Sequence, residues 1–184
     1  MTAEAASPRP GYTLRRARTS DVGPIRDLVA PLAEQRVLIS KEAVAYYEGI
    51  QEFLVAEDDA GTVIGCGALH VMWEDLGEVR TLATSTQWRG RGVGHALLDA
   101  LLERGRDLGV SRVFCLTFEV DFFTRHGFVV MANQDSIDPA IYSELLRSHD
   151  EGVAEFLDLA RVKPNTLGNT RMIRRLDRRD PVAP

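Results

Sequence analysis

The chain has 184 residues, of which 45% are hydrophobic and 27% charged, and its formal net charge is −5 at pH 7. That length and balance fit one soluble globular domain with a core of its own, and the acid excess argues against a general nucleic-acid binder, which carries a basic face. No apolar run reaches transmembrane length and no signal-peptide pattern opens the chain, so neither a membrane nor an exported setting is expected.

In chain order, residues 1–11 read as a loose Ala-, Ser- and Pro-rich tail, 12–176 as the domain and 177–184 as a second flexible tail. Residues 12–18 form a first strand. Thr19, Ser20 and Asp21 offer helix-capping chemistry, and Val22, Ile25, Leu28, Val29 and Leu32 then recur at helical spacing. Residues 37–41 are a connector, with Ser40 as the cap of a second helix reaching to about Ile50. Residues 53–57 and 63–73, joined by a turn at Asp58-Asp59-Ala60-Gly61, predict a hairpin. A further strand spans 77–84. A long amphipathic helix follows from Val93 to about Leu108. Residues 111–118 read as a buried strand, 122–126 as a short helix stopped by Gly127, and 128–131 as another strand. Asp138-Pro139 opens a helix through Leu146. The segment 152–176 has no clear pattern beyond a strand near 170–173, and the residues from Arg174 onward read as a frayed charged tail.

Cys66 and Cys115 stand isolated inside apolar strand-like runs, which predicts free buried thiols in a reducing cytoplasm rather than a catalytic cysteine.

Gln87-Trp88-Arg89-Gly90-Arg91-Gly92-Val93-Gly94-His95 lies between a strand and the start of the long helix. Glycines there let backbone N–H groups approach a ligand, and the first turn of a helix adds unpaired donors and a positive dipole end. With Arg89 and Arg91 alongside, a phosphate or pyrophosphate fits. A P-loop would need Gly-Lys-Ser/Thr where the chain has Gly94-His95-Ala96, and a Rossmann G-x-G-x-x-G would need a glycine where His95 stands.

Arg89-x-x-Gly92-x-Gly94 resembles the signature of the GCN5-related N-acetyltransferases, the GNAT superfamily, whose loop holds the pyrophosphate of acetyl-CoA. The order of elements along the chain is similar to that fold. The resemblance therefore implies an α+β sandwich with a mixed, mostly antiparallel sheet flanked by helices. Residues 63–69, 77–83, 116–118, the Phe122-Phe123-x-x-x-Gly127-Phe128 run and the tail 163–172 look like the N-acetylglutamate synthases, in their short single-domain actinobacterial form. That resemblance implies acetyl transfer from acetyl-CoA to the α-amine of L-glutamate, with L-glutamine as a further acceptor, as the first step of arginine biosynthesis.

The roles it implies fall on named residues. Glu78 matches the strand glutamate that serves as general base, a role for which a partly desolvated carboxylate is suited. Glu78 and Arg80 are two residues apart on a strand and share a face, which sets a cationic anchor beside the base; a surface ion pair is the plainer reading of the same spacing. Arg80, Lys41, Thr117, Lys163, Asn165, Asn169 and Arg171 are the candidates for holding the amino-acid substrate. Leu82, Ala83, Thr84, Gln87, Arg89, Gly90, Arg91, Gly92, Val93, Gly94, His95 and Phe123 are those for acetyl-CoA. Phe123 stands where many members have a tyrosine that protonates the leaving thiolate, and its ring fits packing on CoA or in the core. No metal is expected. A different amine acceptor and a non-catalytic acetyl-CoA-binding module remain as alternatives, and a homodimer is one arrangement the reading allows.

Overall fold

A computed structural model describes residues 11–35, 37–38, 41–131, 137–159 and 168–177. In chain order the elements are β1 (Tyr12–Arg16), α1 (Val22–Glu34), α2 (Ala43–Glu48), β2 (Phe53–Asp58), β3 (Val63–Trp73), β4 (Leu76–Thr84), α3 (Val93–Asp107), β5 (Arg112–Thr117), α4 (Val120–Arg125), β6 (Val129–Val130), α5 (Pro139–Leu145), α6 (Glu151–Phe156) and β7 (Thr170–Arg175).

The strands form one seven-stranded sheet in the order β1-β2-β3-β4-β5-β7-β6. β4 and β5 run parallel, with Glu78 opposite Phe114. β1–β2, β2–β3, β5–β7 and β6–β7 are antiparallel. The parallel step needs a long crossover, and α3 supplies it. The α+β expectation, a mixed and mostly antiparallel sheet with helices, holds.

The chain falls into two compact units, Met1–Ala68 with Thr81–Ala100 and Leu69–Arg80 with Leu101–Pro184. In the first, α1 buries Val22, Ile25 and Val29 with Tyr46 of α2, Phe53 and Val55 of β2, and Cys66 and Ala68 of β3. A second cluster joins Tyr12, Ala56 and Ile64 to Val93, Ala96 and Leu97, the first turns of α3. Gly65 makes that contact possible. A Cβ there would stand 2.8 Å from Val93 Cγ1 and 3.0 Å from Leu97 Cδ1, so the helix start rests on bare strand backbone.

The hairpin turn is tied by Asp58, whose Oδ1 accepts from Ala60 N at 3.0 Å and Thr62 N at 2.8 Å. Asp21 caps the 3-10 turn Thr19–Asp21 ahead of α1 rather than α1 itself. It makes no side-chain bond to the N-terminus of α1. Its carboxylate instead accepts from Arg18 N at 2.7 Å and from both terminal nitrogens of Arg15, at 2.7 and 2.9 Å. Arg15 Nε donates in turn to Glu57 at 2.7 Å. These bonds from Arg15 and Arg18 outweigh burial, which acts in the opposite direction, and hold the Asp21 carboxyl below its ordinary pKa.

In the second unit, Met72, Leu76, Phe114, Met131, Leu145, Val153, Phe156, Leu157 and Ile173 form the core. Asp138 caps α5 as expected, accepting from Ala140 N at 2.8 Å. Three expectations shift. α2 begins only at Ala43, with Glu42 in the capping position, and Ser40 lies outside the described residues. The stretch around 152 contains α6, which local pattern did not announce. Arg174 and Arg175 belong to β7 rather than to a tail; Arg174 donates to the His126 carbonyl, and Leu176 N bonds Ser111 O at 2.8 Å.

Two measurements check this account. Asp21→Asn is expected to lower stability by about 1–2 kcal/mol at neutral pH, the scale of a partly exposed charged hydrogen bond. Because the folded carboxyl titrates below its unfolded value of about 3.9, its contribution is present above that pH and is lost on acidification through the folded pKa. The gap between wild-type and variant melting temperatures should therefore close as pH falls below about 4. Gly65→Ala, which forces the stiff Val93 side chain to yield, should cost about 1–3 kcal/mol in denaturant unfolding.

Candidate active site

The glycine loop belongs to the first unit. After β4, a short 3-10 turn over Thr86–Trp88 leads into it, and α3 begins at Val93. Gly90 and Gly92 have φ of +76° and +81°, conformations that side-chain-bearing residues adopt at a cost of about 1–2 kcal/mol. A Cβ at Gly90 would meet nothing within 4 Å, and one at Gly92 only the Tyr12 hydroxyl at 4.0 Å. These two glycines are thus needed for backbone shape, and the space over them is open. The first-turn amides of α3, from Val93 to His95, have no intrahelical acceptor by the geometry of a helix start.

Cationic side chains surround the loop. Gln87, Arg89 and Arg91 are exposed. The Arg91 guanidinium lies 4.9 Å over the Trp88 ring, and Trp88 meets Tyr12 edge-on at 6.1 Å. The stack preorganises one of the two arginines. Val93 is buried with the core, while Gly94 and His95 are half-buried. Upstream, the Leu82 and Thr84 side chains are half-buried and Ala83 is 4% exposed. Helix start, glycine backbone and arginines are together the elements from which an anion site is built.

β4 is bent just before this stretch. Thr81 has φ +56°, which for a β-branched residue is an outlier. Its carbonyl accepts from the Cys66 thiol at 3.5 Å.

The second unit holds an acid–base cluster. Glu78 of β4 is 6% exposed. Arg80 Nη1 lies 3.5 Å from Glu78 Oε2 and donates at 2.8 Å to Asp150 Oδ2. Asp150 also caps α6, its Oδ1 accepting from Val153 N at 3.2 Å, and His70 Nε2 of β3 stands 3.7 Å from it. Burial alone would raise the Asp150 pKa. The Arg80 hydrogen bond and charge, with His70 and the Val153 amide, outweigh it and hold the carboxyl below its ordinary value. The Glu78/Arg80 proximity follows from strand period. Asp150, His70 and Gly152 did not emerge from sequence reasoning; the capping residue Asp150 before Glu151-Gly152-Val153 was the available signal.

The remaining candidates are placed as follows. Thr117 is 8% exposed and its Oγ1 accepts from Glu119 N at 2.9 Å. Arg171 of β7 donates to the Phe156 carbonyl at 3.2 Å and lies 3.8 Å from Asp158. Asn169 precedes β7 and is half-buried. Lys41 is half-buried and belongs to the first unit, and Arg80 and Arg171 to the second. Lys163 and Asn165 lie outside the described residues. Phe123 of α4 is 6% exposed, stacked edge-to-face at 5.2 Å on both Phe122 and Phe128. It carries no hydroxyl and serves the core of its unit.

Both cysteines are free and buried. Burial pushes the Cys66 thiol up to about 12, and burial with the nearby Glu78 charge pushes Cys115 up as well. Neither is a nucleophile at neutral pH. Among the described residues no cluster of His, Cys, Asp and Glu suits a metal ion, and no helix is long and apolar enough to cross a membrane.

Residues 25–128 match the acetyltransferase (GNAT) family. The chain is 51% identical over 175 residues to an amino-acid acetyltransferase of Mycobacterium tuberculosis, covering 94% of this chain and 98% of that protein. It is 39% identical over 119 residues to an amino-acid acetyltransferase of Shewanella oneidensis, of which it spans 26%. In three dimensions it is similar to Rv2747 from Mycobacterium tuberculosis, solved in complex with CoA, with a TM-score of 0.85 and 52% identity over 90% of this chain and 99% of that one. N-acetylglutamate synthase from Neisseria gonorrhoeae, complexed with coenzyme A and N-acetyl-glutamate, matches 91% of this chain over 35% of its own length, with a TM-score of 0.71 and 27% identity. The chain belongs to the GNAT acetyltransferase family.

Proposed function

We propose that this chain transfers acetyl from acetyl-CoA to the α-amine of L-glutamate, with L-glutamine as a second acceptor, as the first step of arginine biosynthesis. The observation that carries the reading is Glu78, a carboxylate 6% exposed with Arg80 beside it, on the strand that leads into an anion-binding loop. The amino-acid acetyltransferases to which the chain is similar, and the synthase solved with N-acetyl-glutamate, support the choice of acceptor.

Acetyl-CoA lays its pyrophosphate on the amides of residues 90–95, with Arg89, Arg91 and Gln87 at its flanks. The main chain of Leu82, Ala83 and Thr84 holds the pantetheine arm and supplies a hydrogen-bond donor to the thioester oxygen. The amino acid arrives as an ammonium. Glu78 takes one of its protons, directly or through a water, and the freed amine attacks the thioester carbon. Collapse of the tetrahedral adduct breaks the C–S bond and releases the CoA thiolate. With a thiol pKa of about 8.5, that thiolate leaves without a strong acid. Phe123 has no proton to give, and the Thr117 hydroxyl is a weak substitute for a tyrosine.

Recognition of a substrate carrying carboxylates requires fixed cations, and planar guanidiniums suit them. We assign Arg80 and Arg171 this role, with Thr117, Asn169, Lys41, Lys163 and Asn165 behind them. Because Arg80 already faces Asp150 at 2.8 Å, a bound carboxylate shares that guanidinium rather than neutralising it alone. Two buried thiols fit a reducing cytoplasm as the place of action.

The test is release of CoA thiol with glutamate, glutamine, aspartate and spermidine as acceptors. Turnover is expected with glutamate or glutamine alone, and Glu78→Gln should lower kcat/KM by on the order of 10²–10⁴-fold. Turnover confined to spermidine would sink the acceptor, and tight acetyl-CoA binding without turnover would make the chain a binding module. Gly92→Ala should act elsewhere: it strains the loop at φ +81°, so acetyl-CoA affinity should weaken while the amino-acid KM stays near wild type. Calorimetric titration with CoA checks this.

A further inference from the structure

Glu78 is held against the first turn of α6, and the contact leaves no room for a side chain. A Cβ built on Gly152 would stand 2.0 Å from Glu78 Oε2, 2.6 Å from Cδ and 2.9 Å from Oε1. All three atoms of the carboxylate therefore lie on the bare Cα of Gly152. φ at Gly152 is not in the left-handed region, so backbone freedom does not explain a glycine at this position. Only the approach of the carboxylate does. Two residues earlier, Asp150 fastens the same turn to Arg80 at 2.8 Å, and the same Arg80 nitrogen is 3.5 Å from Glu78. The turn thus brackets Glu78 with a steric stop at Gly152 and, through Arg80, an electrostatic tether at Asp150.

We propose that Gly152 is a positioning residue for the reaction: it fixes where the Glu78 carboxylate sits, without touching substrate or cofactor, by being the one residue type that lets the carboxylate lie flat on α6. The inference rests on Glu78 acting as the base. Any larger residue at 152 turns the carboxylate out of its seat. Displacing a catalytic group by about 1 Å costs up to about 10²-fold in rate, and substrate binding at other residues is left largely intact.

The experiment is a double-mutant cycle on the full chain, using Gly152→Ala, Glu78→Asp and the pair together, with Glu78→Gln as control, read as kcat and KM for glutamate and acetyl-CoA. Gly152→Ala is expected to lower kcat roughly tenfold or more with both KM values within about twofold of wild type. Aspartate at 78 is shorter and withdraws from the added methyl, so Gly152→Ala should cost much less in that background, a non-additivity that a merely structural role at 152 would not give. Wild-type kcat in Gly152→Ala, or equal losses in both backgrounds, overturns the proposal. Where Gly152→Ala melts below the assay temperature, the Glu78→Ala/Gly152→Ala pair decides. Recovery of the melting temperature supports the contact, and no recovery overturns it. Full activity in Glu78→Gln would remove the base and the positioning role together, whereas an inactive Glu78→Gln beside a fully active Gly152→Ala would remove the positioning role alone.

Discussion

Within the nine residues of β4 the constraint that stands out is the backbone at Thr81, where a β-branched residue is held at φ +56°. Before Thr81, Glu78 and Arg80 lie two residues apart and share a face of the strand. After it, the role proposed for Leu82 to Thr84 uses the main chain instead. Backbone donors in an ordinary central strand are consumed by neighbouring strands. Burial alternates without a break from Arg80 to Thr84, across the φ of +56° at Thr81. A threonine held there costs on the order of 1–3 kcal/mol, so the surroundings must hold it in place. The Cys66 thiol, donating to the Thr81 carbonyl at 3.5 Å, and the burial of Thr81 itself are visible parts of that support.

Glycine serves this chain in two unrelated ways, and the distinction matters for function. At 90 and 92 the need is conformational: φ is positive and the neighbouring space is open, as a cradle for a ligand requires. At 65 and 152 the conformation is ordinary and the space is filled, by Val93 and Leu97 in one case and by Glu78 in the other. One pair shapes a surface. The other lets helices, α3 and α6, sit directly on what they position.

Most of what is local was legible in the residues. The hairpin, the glycine loop and α3 follow from alternation, turn chemistry and helical spacing, each acting over fewer than about twenty residues. Glu78 and Arg80 were legible as a pair because a strand's period places them together. The partners that complete the cluster were not. Asp150 lies 70 residues beyond Arg80, and nothing in its own neighbourhood distinguishes it from any acidic helix cap. Asp21 shows the same limit in reverse. Its local setting offers a cap, which the Arg18 amide takes, and Arg15, brought in by the first strand, binds the same carboxylate. Local pattern ends the last strand before Arg174 for a related reason: an arginine-rich ending looks solvated, whereas the His126 carbonyl receives one of those side chains.

The position of Phe123 narrows how the reaction can finish. A phenylalanine buried among Phe122 and Phe128 neither donates a proton nor orders a water through a polar group of its own. The energetics do not require it to. Expelling a thiolate whose conjugate acid has a pKa of about 8.5 is far easier than expelling an amine, so the demanding proton transfer is the removal of a proton from the acceptor's ammonium group. That places the burden of acid–base catalysis on the acceptor side, where Glu78, the base proposed above, has burial, an adjacent guanidinium and a glycine seat. The distribution of structure follows the distribution of chemical difficulty: the leaving-group side is left to the thiol's own acidity, and the organised contacts gather around Glu78.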